Sequence, residues 1–371
     1  MIHHKIKRIL WLSWKDTSHP QAGGAEIVKE QLAKRLAHDG FEVIILTSAF
    51  EGASHKEDRK GYKIIRVGGR WNVYWLVYRY YKRHLQGWAD LVIDEINTIP
   101  FFAKYYVQEK NVILIHQLAR QIWFYQIGFP LNLLGYFLEP VYLWLLRDRW
   151  VITISESTRH DLSRFGFKPD KIEIISMGID IEAIKDLSQV EKYEQPTLLA
   201  LGSIRPMKRT QHIIKAFERA KINNLQLIIA GDATGKYGSN TLSMIEKSSF
   251  KDNIQYLGRV TQTKKKELLQ KSHLIIVTSV KEGWGLIVTE ANSQGTPAIV
   301  YNVDGLRDST KDSKTGIVTH SNTPTALADS IVMLLTNKNK YDKMRKEAWQ
   351  WSQEITFDRS YHDLLKIIEK F

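Results

Sequence analysis

Residues Ser272 to Tyr301 read SHLIIVTSVKEGWGLIVTEANSQGTPAIVY. The apolar run Leu274 to Val277 leads into a loop with Gly283 and Gly285. A helical pattern follows over Leu286 to Gln294, and a second apolar run, Ala298 to Tyr301, comes after Gly295 and Pro297. Strand, glycine loop, helix and strand in that order form the repeating unit of a parallel sheet. The start of such a helix offers unpartnered backbone N–H groups and the positive end of its dipole, and the glycines let the backbone approach an anion closely. Gly283, Trp284, Gly285, Leu286 and Ile287 therefore make up a candidate anion-binding and donor-binding segment. Glu282 sits in the loop and Glu290 on the helix, so Glu290 suits ribose hydroxyls while Glu282 looks toward whatever the phosphate carries. A helical glutamate is often just a solvated side chain; the surrounding strand, Gly-x-Gly loop and Gly-Thr-Pro give the pair its functional reading.

The same alternation runs outward in both directions. Apolar runs at Thr197 to Leu201, Gln226 to Ala230, Ile254 to Leu257 and Thr315 to Val318 complete one series. Runs at Arg8 to Leu12, Glu42 to Thr47, Lys63 to Val67, Leu91 to Ile93, Val112 to Ile115, Val151 to Ile154 and Ile172 to Ile175 make another. The chain reads as α/β, with two Rossmann-like doubly wound parallel-sheet domains. The polar stretch Ile181 to Gln195 separates them, giving domains 1–185 and 186–355. Beyond Pro324 the pattern is helical (Ala326 to Leu335, Tyr341 to Trp351, Ser360 to Lys370), and 356–371 is expected to pack back toward the N-terminal domain. A length of 371 residues fits two cores.

Composition narrows the chemistry. With no cysteine there is no disulfide scaffold, thiolate metal site or cysteine nucleophile, and a reducing cytoplasm is expected. A net charge of +13 calls for an anionic partner: phosphate, nucleic acid or an acidic membrane surface. No apolar stretch resembles a signal peptide. Phe129 to Leu146, the most membrane-like segment, is interrupted by Pro130, Asn132, Glu139 and Pro140 and is not expected to span a bilayer.

Two further loops follow strands. The first strand leads to Gln21-Ala22-Gly23-Gly24-Ala25-Glu26, a glycine turn opening a helix, so Gly23 and Gly24 are candidate diphosphate or sugar contacts. It is not the spaced glycine fingerprint of dinucleotide oxidoreductases. In the second half, LGSIRPMKRT sets Arg205, Lys208 and Arg209 just beyond a strand's C-terminal end, the side where open sheets bind ligands. Arg205 and Lys208 are candidate diphosphate ligands.

Taken together, GGAE, GSIRPMKRT and EGWGLIVTE, with Ser155 to Arg159, Met177 to Asp180 and Leu257 to Val260, resemble the family-four retaining glycosyltransferases of the GT-B fold over essentially the whole chain. The resemblance implies two Rossmann-like domains facing a cleft. It implies transfer of a hexose-type sugar from a nucleoside diphosphate sugar (UDP or GDP) to an acceptor hydroxyl with retained configuration, without metal or other cofactor. On that basis the 186–355 domain binds the nucleotide sugar and the 1–185 domain the acceptor, Glu282 lies at the donor sugar, and Glu290 binds ribose. Gly285, Leu286 and Ile287 donate N–H groups to the diphosphate, and Lys208 occupies the family's diphosphate lysine. Where the family usually has an arginine this chain has Ser203, with Arg205 two residues on. His116, ending the run Val112 to Ile115, matches the histidine placed near the donor sugar.

Between Lys56 and Arg83 nine Lys and Arg face only Glu57 and Asp58, among Trp71, Tyr74, Trp75 and Arg79. Cations interleaved with aromatics suit an anionic membrane or a lipid-linked acceptor. The same mixture also suits a sugar groove or an aromatic core stripe. Trp123 belongs to a second aromatic group, after His116, that is a candidate for the acceptor entrance or for packing. The expected location is cytoplasmic, peripheral at the inner membrane face. Rival readings are another GT-B enzyme, an epimerase or glycan phosphorylase, and a nucleic-acid binder, for which no motif is present.

Overall fold

In the computed structural model, which describes residues 5–371, the apolar runs become strands of two sheets. Two compact units result: one holds residues 5–178 together with Thr356–Phe371, the other Ile179–Ile355.

The first unit contains β1 (Arg8–Leu12), β2 (Glu42–Thr47), β3 (Lys56–Arg59), β4 (Tyr62–Arg66), β5 (Leu91–Ile96), β6 (Lys110–Ile115), β7 (Val151–Thr153) and β8 (Ile172–Ile174). They lie in the order β3-β4-β2-β1-β5-β6-β7-β8, parallel throughout except for the β3–β4 pair. The second unit contains β9 (Thr197–Leu201), β10 (Gln226–Ala230), β11 (Ile254–Tyr256), β12 (Leu274–Val277), β13 (Ala298–Val300) and β14 (Gly316–Val318), ordered β11-β10-β9-β12-β13-β14. Helices join most successive parallel strands, and both sheets bury nearly every residue of their central strands, as a parallel sheet covered on both faces requires. In each, chain progression reverses direction beside the first strand, between β1 and β5 and between β9 and β12. At such a switch point the neighbouring loops part toward opposite faces and leave a crevice at the strands' C-terminal ends.

The structure shifts several boundaries read from the sequence. The units divide at Gly178–Ile179, ahead of 185/186, because the polar stretch is tied to the second unit: Ile184 N–H donates to the Ser293 carbonyl (3.1 Å) and Trp349 Nε1 to the Ile184 carbonyl (3.0 Å). The C-terminal helices begin earlier than their apolar pattern, at Pro324, Lys338 and Phe357, each after a residue whose side chain accepts a first-turn N–H: Thr323, Asn337 and Thr356. Helix Phe357–Ile368 lies on helix Gly24–His38, with Tyr361 Oη donating to Asp39 (2.6 Å) and Arg35 paired to Asp358 (2.8 Å). Leu131–Leu146 forms one helix despite Pro140. Among the described residues no helix is long and apolar enough to cross a membrane.

Candidate functional site

The crevice between β9 and β12 holds the motifs of the second unit. Buried Ile204 and Met207 anchor the loop after β9. Its backbone is fastened to β10 and β12 by Ile204 N–H to the Asp232 carbonyl (2.7 Å), Val280 N–H to the Met207 carbonyl (2.9 Å) and Thr278 Oγ1 to the Lys208 carbonyl (2.8 Å). So held, Lys208 ion-pairs with Glu282, which also accepts from Ser279 Oγ (2.6 Å). Burial works to raise the Glu282 pKa, but the Lys208 charge, the hydrogen bonds from Lys208 and Ser279 and the Arg205 charge outweigh it and hold the carboxyl below its usual range. Arg205 is exposed beside this pair and Ser203 half-buried. The structure thus brings Arg205, Lys208 and Glu282 together.

Gly285, at φ +87°, turns the chain into helix Leu286–Ser293. The first-turn N–H groups at Leu286 and Ile287 have no partner within the helix. Trp284 is half-buried, and its Nε1 is without a hydrogen-bond partner among the described residues. Glu290 lies buried on the same helix with Lys265 Nζ 2.7 Å away; burial raises its pKa and Lys265 only partly opposes this. Sequence reading missed Lys265, because Lys264-Lys265-Lys266 looks like a solvated helix face.

Gly305 supports the loop from behind. Its φ is +76°, and a Cβ there would lie 2.2 Å from the Glu282 carbonyl oxygen. Gly305→Ala is therefore expected to lower the unfolding free energy by about 1–3 kcal/mol through left-handed strain and displacement of the 282–285 loop. An unchanged urea midpoint would show that the loop yields freely.

In the first unit, Gly23 is the extended N-cap of helix Gly24–His38 and donates its N–H to Glu26 (2.6 Å), a closed capping arrangement. His116 stands at the end of β6, buried, with Nε2 3.2 Å from Glu95 on β5. Glu95 also accepts from Trp11 Nε1 (3.1 Å) and pairs with Lys29 (3.2 Å), and neither charged side chain is exposed. Burial pushes the Glu95 carboxyl up, yet the Lys29 charge and the His116 contact prevail and bring it down to about 2. Lys29 Nζ further donates to Ser13 Oγ and to the Lys15 carbonyl (2.5 Å), tying the loop after β1 to the base of His116. The apolar run in the sequence ends at Ile93 and does not disclose this network; the Asp94-Glu95 pair beside that run is its visible signal.

The aromatic candidates separate. Trp71 and Trp75 are exposed, with the guanidinium groups of Arg70 and Arg79 over their rings (5.0 and 4.4 Å). Tyr74 packs on Phe101. Trp123 is buried rather than open to an acceptor or a membrane: its ring fills the space over Gly135 and its Nε1 donates to Glu139 (3.2 Å). Nor is the basic run from Lys56 to Arg83 wholly a surface feature, since Arg66 is buried against Asp16 (2.7 Å) and Arg59 pairs with Glu30 (2.8 Å).

Residues 22–183 match the family described as Glycosyltransferase Family 4, and residues 183–351 match Glycosyl transferases group 1. The N-acetyl-alpha-D-glucosaminyl L-malate synthase of Bacillus anthracis is 23% identical, covering 94% of this chain and 96% of that protein. D-inositol 3-phosphate glycosyltransferases also match, over about half of their own length. Among solved structures, sucrose-phosphate synthase from Thermosynechococcus elongatus superposes with a TM-score of 0.77 at 17% identity over 98% of each chain. HepE of Anabaena in complex with UDP-glucose does so with 0.74 at 15% identity, over 98% of this chain and 100% of that one.

Proposed function

Because this chain belongs to the family-four glycosyltransferases and has the GT-B fold, we propose that it moves a hexose-type sugar from a nucleoside diphosphate sugar to an acceptor hydroxyl with retention of configuration. The observation that carries this reading is the meeting of Lys208, Arg205, Glu282 and the start of helix Leu286–Ser293 at the switch point of the second sheet. Cations and backbone N–H groups converge there on a place suited to a diphosphate. The UDP-glucose held by HepE supports a uridine donor.

In this reading Lys208, Arg205 and the N–H groups of Gly285, Leu286 and Ile287 take the growing negative charge on the diphosphate as the sugar departs, a task that needs no metal. Ser203 and the flanking Gly283 and Trp284 line the donor, and Glu290 accepts ribose hydroxyls once Lys265 gives way. Glu282, kept ionised by its neighbours, hydrogen-bonds the donor sugar. In the first unit His116, Gly23 and Gly24 are the proposed sugar contacts. In front-face transfer the leaving phosphate oxygen takes the acceptor's proton as the new glycosidic bond forms, so the protein's work is positioning and charge stabilisation. The acceptor is proposed to be a glycan or a lipid-linked hydroxyl.

Binding and nucleoside diphosphate release across a panel of UDP-, GDP- and ADP-sugars test the proposal. One donor class is expected to bind selectively. In Glu290→Ala its affinity should fall about tenfold to a hundredfold, as loss of a paired ribose contact implies, with turnover at saturation little changed. Binding of none of the three, by protein shown to be folded, would overturn the reading.

A further inference from the structure

Among the described residues, every exposed large hydrophobic side chain except Phe250 and Met333 lies between Trp71 and Trp144. The densest group is on helix Leu131–Leu146. Its inward face buries Gly135, Glu139, Tyr142, Leu143 and Leu146, as expected of a helix on a sheet domain. Its outward face is also apolar: Leu134, Phe137, Leu138, Val141 and Trp144 are each about half exposed or more. A helix lying on a protein in water turns charged residues outward. Here the one charged side chain, Glu139, points in and accepts from Ala119 N–H (2.7 Å) and Trp123 Nε1 (3.2 Å). Phe129, just before the helix, is 80% exposed. At 16 residues the helix is about 24 Å long, too short to cross a bilayer, but suited to lying along its surface.

Cations frame this face. Arg147 is exposed, with its guanidinium 4.7 Å from the Trp144 ring. Arg120 lies over Tyr136 (4.2 Å). Helix Val73–Tyr80 packs on the same segment after β5, with Tyr74 against Phe101 (4.9 Å) where Tyr142 Oη donates to the Thr98 carbonyl (2.6 Å), and carries Trp75 beneath Arg79. Aromatic rings and apolar side chains flanked by arginines match the layering of a membrane interface, acyl chains beneath and phosphate headgroups above. The charge favours lipid over a second copy of this chain: the helix's only acidic side chain, Glu139, is buried, so the same helix on a second copy would offer Arg147 no carboxylate, on a protein of net charge +13.

We propose that helix Leu131–Leu146 is a membrane-docking element that inserts Leu134, Phe137, Leu138, Val141 and Trp144 among the acyl chains of an anionic bilayer while Arg147 and Arg79 bind headgroup phosphates. Glu139 gives the docked helix a route to the sugar-transfer residues, because its carboxylate holds the backbone of Ala119 and Arg120, just after His116. The docking itself stands apart from the donor reading.

Co-sedimentation of the full chain with phosphatidylcholine vesicles, with and without phosphatidylglycerol, tests it. Binding is expected to the anionic vesicles, to weaken with salt, and to drop at least about tenfold in Phe137→Gln/Trp144→Gln. Melting temperature and donor binding should be unaltered or improved in that variant, since both side chains are already exposed. Arg79→Glu/Arg147→Glu should remove the preference for anionic lipid. The proposal is overturned if the unaltered protein ignores anionic vesicles or the Phe137/Trp144 variant binds them equally well. Light scattering that shows a dimer lost in the same variant, without vesicle binding, would assign the face to contact between copies instead.

Discussion

Replacing Lys208 by alanine is expected to lower kcat/KM for sugar transfer by about two to three orders of magnitude, the usual cost of losing one preorganised charge at a developing oxyanion. Two consequences of the geometry add up. In the proposed reading the diphosphate loses a cation, and Glu282, held ionised largely by Lys208, is left as a partly buried carboxylate with only Ser279 and the charge of Arg205. Its pKa, now below the ordinary value, should then rise, because burial acts upward and its main opponent is gone. The pH profile of Lys208→Ala should therefore gain an acid limb absent from the unaltered enzyme, with turnover falling as pH drops and Glu282 takes up a proton. Glu282→Gln provides the control. It should depress kcat while leaving donor affinity nearly intact, and in the Lys208→Ala background it should abolish that limb. A donor affinity that collapses in Glu282→Gln but survives in Lys208→Ala would show the two roles to be exchanged.

What the sequence makes legible here is what depends on local pattern. The strands alternate with helices because parallel sheets demand it, and the glycine loops before helices at Gly24 and Leu286 are visible as spacing. Helix starts are blurred by two to three residues because capping by Thr323, Asn337 and Thr356 is a matter of one side chain and not of periodicity. β3, with the sequence KEDR, is an edge strand held by pairing with β4 and by the ion pairs of Arg59 with Glu30 and Glu57 with Arg66, so no apolar alternation marks it. Partners from distant parts of the chain are the least legible. Lys265 reaches Glu290 from a neighbouring helix and Lys29 reaches Glu95 from a helix lying on β5, only after the fold brings these elements together, and each lysine reads in isolation as surface charge. For Trp123 the sequence leaves acceptor entrance and core packing equally open, and the space over Gly135 decides for packing. The helix carrying Glu139 and Pro140 was legible as not spanning a membrane, but which of its faces is covered depends on the fold.

Glu95→Gln should be among the most destabilising single changes in the first unit. Lys29 and Glu95 are both without exposure, and removing one charge strands the other in an apolar interior, which typically costs about 3–5 kcal/mol. The pH dependence follows from the direction of the shift. The carboxyl titrates at an ordinary value of 4.5 when unfolded and at about 2 when folded, a gap equivalent to roughly 3 kcal/mol. A depressed folded pKa stabilises above the unfolded value and is lost as pH falls through the folded one. The advantage of the unaltered protein over Glu95→Gln should thus be full at pH 7, shrink below about pH 4.5 and nearly vanish near pH 2. Pairing the substitution with Lys29→Met removes the stranded ammonium, so the double variant should be more stable than Glu95→Gln alone, a coupling measurable by urea denaturation of all four proteins. Strict additivity of the two single changes would mean that the pair is not coupled and that Lys29 rests on Ser13 and the Lys15 carbonyl instead. Because Glu95 also receives Nε2 of His116, the double variant separates two losses. Stability recovered without turnover would show that the carboxylate orients the histidine as well as neutralising the lysine.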